Sequence, residues 1–159
     1  MARSRKILIK KQAEPDPVYN SRLLTKFINR VMKSGKKTVA QTQIYRALLI
    51  LKDKGHEPIK TFETVINAVG PKMEVRPKRV GGASYQVPME VRGDRRVSLA
   101  MRWLIEAANK RSNKEYRTFS DKLAAEFLDI LNNQGEAIRK RDTVQRMAEA
   151  NRAFAHFRW

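Results

Sequence analysis

The fold is decided by residues 71–96, PKMEVRPKRVGGASYQVPMEVRGDRR, which alternate like β-structure within a sequence that otherwise reads as helical. Met73 and Val75 alternate with charged residues. After a Gly-Gly pair, Val87 and Met89 alternate with polar residues or proline. Period-two alternation on both sides of a turn signal is typical of a β-hairpin. An isolated hairpin cannot bury both faces, so we expect its distal half to project from the body.

The length of the hairpin loop follows from where the apolar residues must point. If the base of the hairpin docks on a core, the apolar residues of both strands should share one face. Their cross-strand partners then have residue numbers of equal parity, which requires an odd loop. We therefore expect a loop of three or more residues, rather than a two-residue Gly81-Gly82 turn, with a glycine at positive φ. Pro77 and Pro88 lack ladder donors, which makes both strands edge-like.

Composition indicates an anionic partner. The chain has 159 residues, enough for one domain with a core, and 34 Lys plus Arg against 16 Asp plus Glu give a net charge of +18. This excess points to a nucleic acid or an anionic membrane, and Arg76, Lys78 and Arg79 beside the predicted loop favour a polyanion. Insertion into a membrane is not expected, because no apolar run approaches the roughly 20 residues of a spanning helix, and we expect no membrane among the partners.

The residue types do not support an enzyme or a metal protein. The chain has no cysteine, and its two histidines, His56 and His156, lie far apart in the sequence. The run Ser34-Gly35-Lys36-Lys37-Thr38 resembles a phosphate loop only faintly, because Arg30 stands where that motif needs glycine. We therefore expect no enzymatic activity, no cofactor and no metal site.

Residues 1–19 are expected to form a basic N-terminal extension. Residues 2–11 carry no acid, and such a block usually orders only when it binds a partner. We interpret it as an RNA- or DNA-binding arm, with a disordered solubilising tail as the alternative. Its cations are Arg3, Arg5, Lys6, Lys10 and Lys11.

Residues 20–159 predict a single, mainly α domain of six helices, with the two-stranded hairpin protruding at about residues 72–92 between the third and fourth helices. Each helix has apolar residues at helical spacing. These stripes include Phe27, Ala47, Phe62, Leu104, Phe127 and Ala148.

Several helix ends are marked by the sequence. We expect the first helix to begin at Asn20 or Ser21 and to stop at Gly35, and Asp94 to cap the fourth. The sixth helix should start near Glu136 and extend to about Phe154. Because its apolar stripe is thin, we expect it to pack weakly and to fray.

Basic residues also cluster outside the hairpin and the arm. Arg95 and Arg102 are seven residues apart and share a helix face. Any one of these basic residues would be interpreted as a solvated surface charge. Together with the arm and the hairpin, however, they could surround a folded RNA. No single-strand RNA sheet motif is visible, so recognition should depend on shape and backbone contacts. The other cations assigned to nucleic-acid binding are Lys36, Lys37, Lys110, Arg111 and Lys114, with Arg139, Lys140, Arg146 and Arg152 on the last helix.

Four ordered motifs resemble one protein family over nearly the whole chain. They are Gly35-Lys36-Lys37, the hairpin runs Arg79-Val80-Gly81-Gly82 and Tyr85-Gln86-Val87-Pro88, Arg102-Trp103-Leu104, and the C-terminal run RMAEANRAFAH at residues 146–156. The chain resembles the S-seven family of small-subunit ribosomal proteins, in its bacterial and organellar form.

The resemblance implies a structural constituent of the small ribosomal subunit. Family members bind the 3′ major domain of small-subunit ribosomal RNA, nucleate assembly of the head, and contact messenger and transfer RNA near the exit site. It also implies a neighbouring small-subunit protein of the S-eleven family. With no transit segment visible, we expect a cytoplasmic ribosome rather than an organellar one.

Site residues are carried over by position. The implied ribosomal RNA contacts are the arm together with Lys36, Lys37, Arg76, Lys78, Arg79, Arg95, Arg96 and Arg102. The implied exit-site contacts are the hairpin tip, Val80, Gly81, Gly82, Ala83 and Ser84, and the last helix from about Arg139 to Arg152.

Two alternatives stand beside this reading. A DNA-bending architectural protein also uses β-arms with a proline near the tip, although a six-helix body exceeds what it needs. An RNA-modifying enzyme would need a cofactor loop or a polar catalytic cluster, and the sequence shows neither.

Overall fold

The computed structural model describes residues 12–158 and shows six α-helices, a two-stranded antiparallel sheet and a C-terminal 3₁₀ helix. The predicted mainly α fold, with a hairpin between the third and fourth helices, is confirmed. In chain order the elements are α1 Arg22–Val31, α2 Lys37–Asp53, α3 Pro58–Val69, β1 Met73–Val80, β2 Ala83–Glu90, α4 Gly93–Lys110, α5 Phe119–Leu131, α6 Glu136–Ala150 and the 3₁₀ helix Arg152–Phe157.

Three phenylalanines from three different helices join in the centre of the helical body. The ring of Phe62 on α3 lies 5.3 Å from that of Phe27 on α1 and 6.2 Å from that of Phe127 on α5, measured between centroids. All three side chains are fully buried. Tilted and edge-on ring contacts of this kind add to the burial of apolar area. The predicted helical stripes therefore meet in one core.

The first helix begins as expected and ends earlier. The hydroxyl of Ser21 accepts a hydrogen bond from the backbone N–H of Leu24, which identifies Ser21 as the N-cap. The helix ends at Val31, so the expected stop at Gly35 is wrong. Met32 already leaves the helical conformation, with ψ at 131°. Gly35, at φ +73°, instead shapes the loop that leads into α2.

The N-cap of α4 also differs from the expectation. The carbonyl of Arg92 accepts a hydrogen bond from the N–H of Arg96 at 2.8 Å, so the helix begins at Gly93 with Arg92 as its cap. Asp94 lies one residue inside the first turn. Its negative charge is still favourable there, because it faces the positive end of the helix dipole.

The hairpin turn is shorter than the parity argument required. Val80 is paired with Ala83, so Gly81 and Gly82 alone form the turn. Their φ angles are +56° and +91°, as a tight turn with two left-handed residues needs. The expected glycine at positive φ is confirmed, and the expected loop of three or more residues is wrong.

The reason is that the apolar residues of the two strands do not share a face. Val87 is opposite Arg76, whereas Val75 is opposite Pro88. Val87 is fully buried, and the β1 residue that is buried on the same face is Glu74, which is 7% exposed. The face of β1 that packs on the helical body therefore holds the charged residue Glu74, where we expected an apolar residue.

The 3₁₀ helix that follows α6 packs against the hairpin. The helix ends at Ala150, short of the expected Phe154, and the chain continues as the 3₁₀ helix. The ring of Tyr85 on β2 lies 5.3 Å from that of Phe154 and 5.0 Å from that of Phe157. These rings give the segment after α6 an aromatic partner on the hairpin, and the expected fraying of α6 stays a prediction. Three residues of α6 are buried, namely Ala137, Ile138 and Ala148.

Replacing Phe62 with alanine should strongly destabilise the body, because this ring fills the space between two other buried rings. We expect the free energy of unfolding to fall by about 3–5 kcal/mol. Urea denaturation followed by circular dichroism measures it. Val18→Ala is the control, since Val18 is 64% exposed and its loss should cost about 0.5 kcal/mol or less. Equal losses in the two variants would contradict the central role of Phe62.

Candidate nucleic-acid interface

The segment from Gln12 to Pro17 lies on the body beside α2. The arm cations Arg3, Arg5, Lys6, Lys10 and Lys11 lie outside the described residues. The carboxylate of Asp16, 3% exposed, accepts hydrogen bonds from the N–H of Tyr19 at 3.1 Å and from the hydroxyl of Tyr45 at 2.8 Å. Desolvation and the charge of Asp16 raise the pKa of Tyr19. These bonds fix the point at which the arm joins the helical body.

Two lysines at the start of α2 face solvent next to this junction. Lys36 and Lys37 are both exposed, and Lys37 lines a cleft together with the Gln12–Pro17 segment. Lys36 is the N-cap of α2 and its side chain makes no capping bond. The first-turn N–H groups of α2 therefore add partial positive charge to that of the two lysines. An extended anion such as an RNA backbone suits this arrangement.

A buried carboxylate organises the arginines at the base of the hairpin. Glu74 accepts hydrogen bonds from Nε of Arg76 at 2.6 Å and from Nε of Arg95 at 2.8 Å. Burial alone would raise the pKa of Glu74, but the hydrogen bonds and charges of Arg95 and Arg76 lower it below its ordinary value. Both arginine side chains stay about half exposed, at 48% and 50%. The single buried carboxylate of Glu74 thus orients two guanidinium groups that remain accessible to solvent.

The remaining arginines of α4 differ in their availability. Arg102 is exposed on the helix surface. Arg96 donates to the backbone carbonyls of Gly70 and Asn67, each at 3.0 Å, and so closes the C-terminal end of α3. Arg102 is therefore free to contact a partner, whereas two bonds of Arg96 already serve the fold.

The cluster predicted just beyond α4 separates in the structure. Lys110 and Lys114 are exposed. The Arg111 side chain is only 17% exposed and forms ion pairs with Glu126 and Asp129. Its guanidinium is thus bound to α5, and its assignment to RNA stays a prediction that the geometry does not favour.

The cations of α6 divide in the same way. Arg139 lies 3.7 Å from Glu136, and Lys140 forms an ion pair with Glu106 beside the ring of Trp103. Arg146 and Arg152 are exposed and, within residues 12–158, form no ion pair. The two unpaired arginines are therefore the better candidates for a contact outside the protein.

The hairpin tip is surrounded by open space. A methyl group added at Gly81 or Gly82 would meet no atom within 4 Å. Arg79, Ala83 and Ser84 are exposed, and Val80 is half-buried. The tip is thus available to a partner from several directions.

Two cations of α1 were missed by the sequence analysis. Lys26 and Arg30 are exposed and line a groove between α1 and α4. Arg30 donates to the hydroxyl of Ser98 at 2.8 Å across that groove. Their spacing of four residues on the polar face of α1 was visible in the sequence, but nothing there indicated that α4 lies beside them.

From residue 12 to residue 158, no helix is both long and apolar enough to cross a bilayer. In that same range, no group of three or more His, Asp or Glu side chains is arranged to hold a metal ion.

Comparison with known proteins decides the class of this basic surface. The family model for ribosomal protein S7p/S5e matches residues 3–152. The chain belongs to the ribosomal protein S7 family. The small ribosomal subunit protein uS7 of Caldicellulosiruptor bescii is 53% identical over 151 residues, which cover 94% of this chain and 95% of that protein. The protein of the same name from Thermomicrobium roseum is 56% identical over 146 residues, covering 91% and 92%.

Membership of the S7 family resolves the alternatives left by the sequence. The protein is a structural, RNA-binding component of the small ribosomal subunit that serves in translation, and it is not an enzyme. Its partners are ribosomal RNA and the ribosome. This membership excludes both alternatives, the DNA-bending architectural protein and the RNA-modifying enzyme.

The Glu74 cluster predicts a specific dependence of stability on pH. Because the pKa of Glu74 is lower in the folded state, its carboxylate stabilises the fold above its ordinary pKa of 4.5, and this contribution is lost as the pH falls below that value. Glu74→Gln should cost about 1–2 kcal/mol at pH 7 and progressively less toward pH 3. Urea denaturation across this pH range measures the difference between the variant and the parent protein.

Glu90→Gln provides the matched control, because Glu90 is exposed on the same hairpin. It should change the free energy of unfolding little at any pH. A difference between Glu74→Gln and the parent that stays constant from pH 7 to pH 3 would contradict the assigned role of Glu74.

Proposed function

We propose that this protein is the primary binder of the 3′ major domain of small-subunit ribosomal RNA, nucleates head assembly, and contacts messenger and transfer RNA near the exit site. The observation that carries the proposal is the division of its cations between a body surface and a projecting hairpin with an unpacked tip. A protein with two such surfaces can hold a folded RNA with one and reach a second RNA with the other.

The body surface is assigned to ribosomal RNA. Lys36 and Lys37 stand exposed beside the arm junction, and Arg76 and Arg95 are oriented by their shared carboxylate. Guanidinium groups held in one orientation lose little side-chain entropy when they bind phosphate. Binding that depends on many phosphate contacts should weaken steeply with salt.

The tip of the hairpin and the exposed arginines of the C-terminal region are assigned to the exit site. The 3₁₀ helix packs on β2, which ties the chain end to the hairpin. Arg152 starts that 3₁₀ helix, and Arg146 lies on the helix before it. In this assignment, both elements face messenger RNA and exit-site transfer RNA, beside a neighbouring protein of the S-eleven family.

A cytoplasmic ribosome is the proposed location. The relatives compared above come from bacteria, where the ribosome and its proteins are made in one compartment.

Reversing the charge at the start of α2 should weaken binding to ribosomal RNA. With Lys36→Glu and Lys37→Glu combined, we expect lower affinity for a fragment of the 3′ major domain and a slope of log K against log salt that is shallower by roughly 1.5–2. Filter binding or fluorescence anisotropy at several salt concentrations measures both quantities.

Lys52→Glu with Lys54→Glu is the matched control, because it makes the same change in charge at the opposite end of α2. It should alter the affinity only through the smaller net charge. An unchanged salt slope in the Lys36/Lys37 variant, or equal changes in both variants, would sink the assignment of this surface.

Shortening the hairpin should separate its tip from the rest of the protein. Deleting Arg79, Val80, Ala83 and Ser84 removes two cross-strand pairs and joins Lys78 and Tyr85 through the same two glycines, so the register below is kept. We expect folding and ribosomal RNA affinity to stay close to those of the parent. Reconstituted small subunits should hold exit-site transfer RNA differently, as measured by crosslinking and by its dissociation rate.

The single substitution Arg79→Ala separates the loss of charge from the loss of length. If the length of the hairpin is the decisive property, Arg79→Ala should leave the crosslinking and the dissociation rate of exit-site transfer RNA close to those of the parent. If the shortened hairpin reduced ribosomal RNA affinity as severely as deletion of residues 2–11, the tip would belong to the ribosomal RNA surface instead.

A further inference from the structure

An apolar cleft lies where the end of α1, the start of α2, α4 and the start of α5 meet. Of the residues that line it, only Lys36 was assigned above to RNA binding. Its volume is about 260 Å³. Val39, Ile105 and Phe119 supply apolar walls. Val39 is 55% exposed, although valine is a residue that normally packs inside. The cleft is therefore an apolar surface that the described chain leaves open.

Amide side chains stand at the edge of this cleft. Gln43 and Asn109 both line it. The side-chain oxygen of Gln43 accepts a hydrogen bond from the backbone N–H of Ser120 at 3.3 Å, which orients the amide. Its Nε2 donates to no residue in the range 12–158. An oriented amide with a free donor beside an apolar wall is suited to a planar ligand that has polar edges.

The rim of the cleft is cationic. Lys33 and Lys36 line it, and both are exposed. Between them the loop turns through Ser34 and Gly35, both at positive φ, which keeps the two lysines close to the same opening. A ligand with an apolar flat face, polar edges and negative charges on either side matches the three parts of the cleft.

We propose that this cleft receives one unstacked base of ribosomal RNA, with the flanking phosphates at Lys33 and Lys36. Proteins read unpaired RNA by holding splayed bases against apolar or aromatic side chains and by hydrogen bonding to their edges. The volume lies below the usual range of about 300–1,000 Å³ for pockets that hold drug-sized ligands, and it suits a single ring system. The inference rests on the RNA-binding function and adds a base-specific contact to the backbone contacts proposed above.

Val39→Ser is the decisive variant, because it removes an apolar wall without changing charge. Affinity for the 3′ major domain fragment should fall by roughly 5-fold or more, as expected when a base loses its apolar platform, with an unchanged salt slope. Leu49→Ser is the matched control. Leu49 is an exposed aliphatic residue of the same helix, 50% exposed, and it lies outside the cleft. This control should bind like the parent, and both variants should keep the parent's melting temperature.

Chemical probing of the RNA identifies the base. With dimethyl sulfate and a carbodiimide reagent, at least one unpaired base should be protected by the parent protein and by Leu49→Ser, and should become reactive with Val39→Ser. Replacing that nucleotide with an abasic one should weaken binding of the parent and abolish the further effect of Val39→Ser.

Each other outcome overturns the proposal. Equal affinities of Val39→Ser and Leu49→Ser mean that the cleft holds no base. A Val39→Ser effect that persists on every abasic RNA means that the change acts within the protein. Normal RNA affinity combined with weaker recruitment of a neighbouring protein in reconstituted subunits means that a protein side chain fills the cleft. In all three cases the salt slope of the Lys36/Lys37 charge reversal still tests the proposed function, because Val39→Ser is expected to leave that slope unchanged.

Discussion

The arrangement of α4, α5 and α6 depends on the carboxylate of Glu126, which is only 1% exposed. It accepts hydrogen bonds from the guanidinium of Arg111 at 2.6 and 2.8 Å and from the backbone N–H of Ala137 at 3.1 Å. Arg111 is the C-cap of α4, Glu126 lies on α5, and Ala137 belongs to the first turn of α6. A charge this buried is tolerated only when its partners are in place, so the three helices are held to one geometry. Because α6 packs against both strands of the hairpin, the position of the hairpin also depends on this contact.

The sequence predicted the elements of the fold well, because each is marked by local spacing. The stripes containing Phe27, Phe62 and Phe127 identified three core helices, and alternation identified the hairpin. The turn was predicted wrongly because its length depends on which face of β1 is docked. That face contains Glu74, and the carboxylate is stabilised there by Arg95, 21 residues further along the chain. Local alternation holds no information about a partner at that distance.

The candidate interface was predictable in kind and less so in detail. Net charge and basic clusters indicated a nucleic acid, and the motifs indicated the family. They did not distinguish Arg102, which faces solvent, from Arg111, whose guanidinium is bound to two carboxylates of α5. The difference comes from tertiary contacts of the guanidinium groups, and the sequence shows only that both residues are arginines. The same holds for Lys26 and Arg30, whose neighbours come from α4.

The packing of Phe154 and Phe157 against Tyr85 supports the hairpin along part of its length and leaves only its tip unsupported, like a short cantilever beam. Of the eight cross-strand pairs, only the two closest to the turn lie beyond Tyr85. Because the stiffness of a beam rises steeply as its unsupported length decreases, the overhang should bend little while the chain end stays docked. Phe154 and Phe157 thus restrict the movement of the hairpin. The position of the glycine turn, which lies near the middle of the sequence, is therefore determined in part by residues of the C-terminal region.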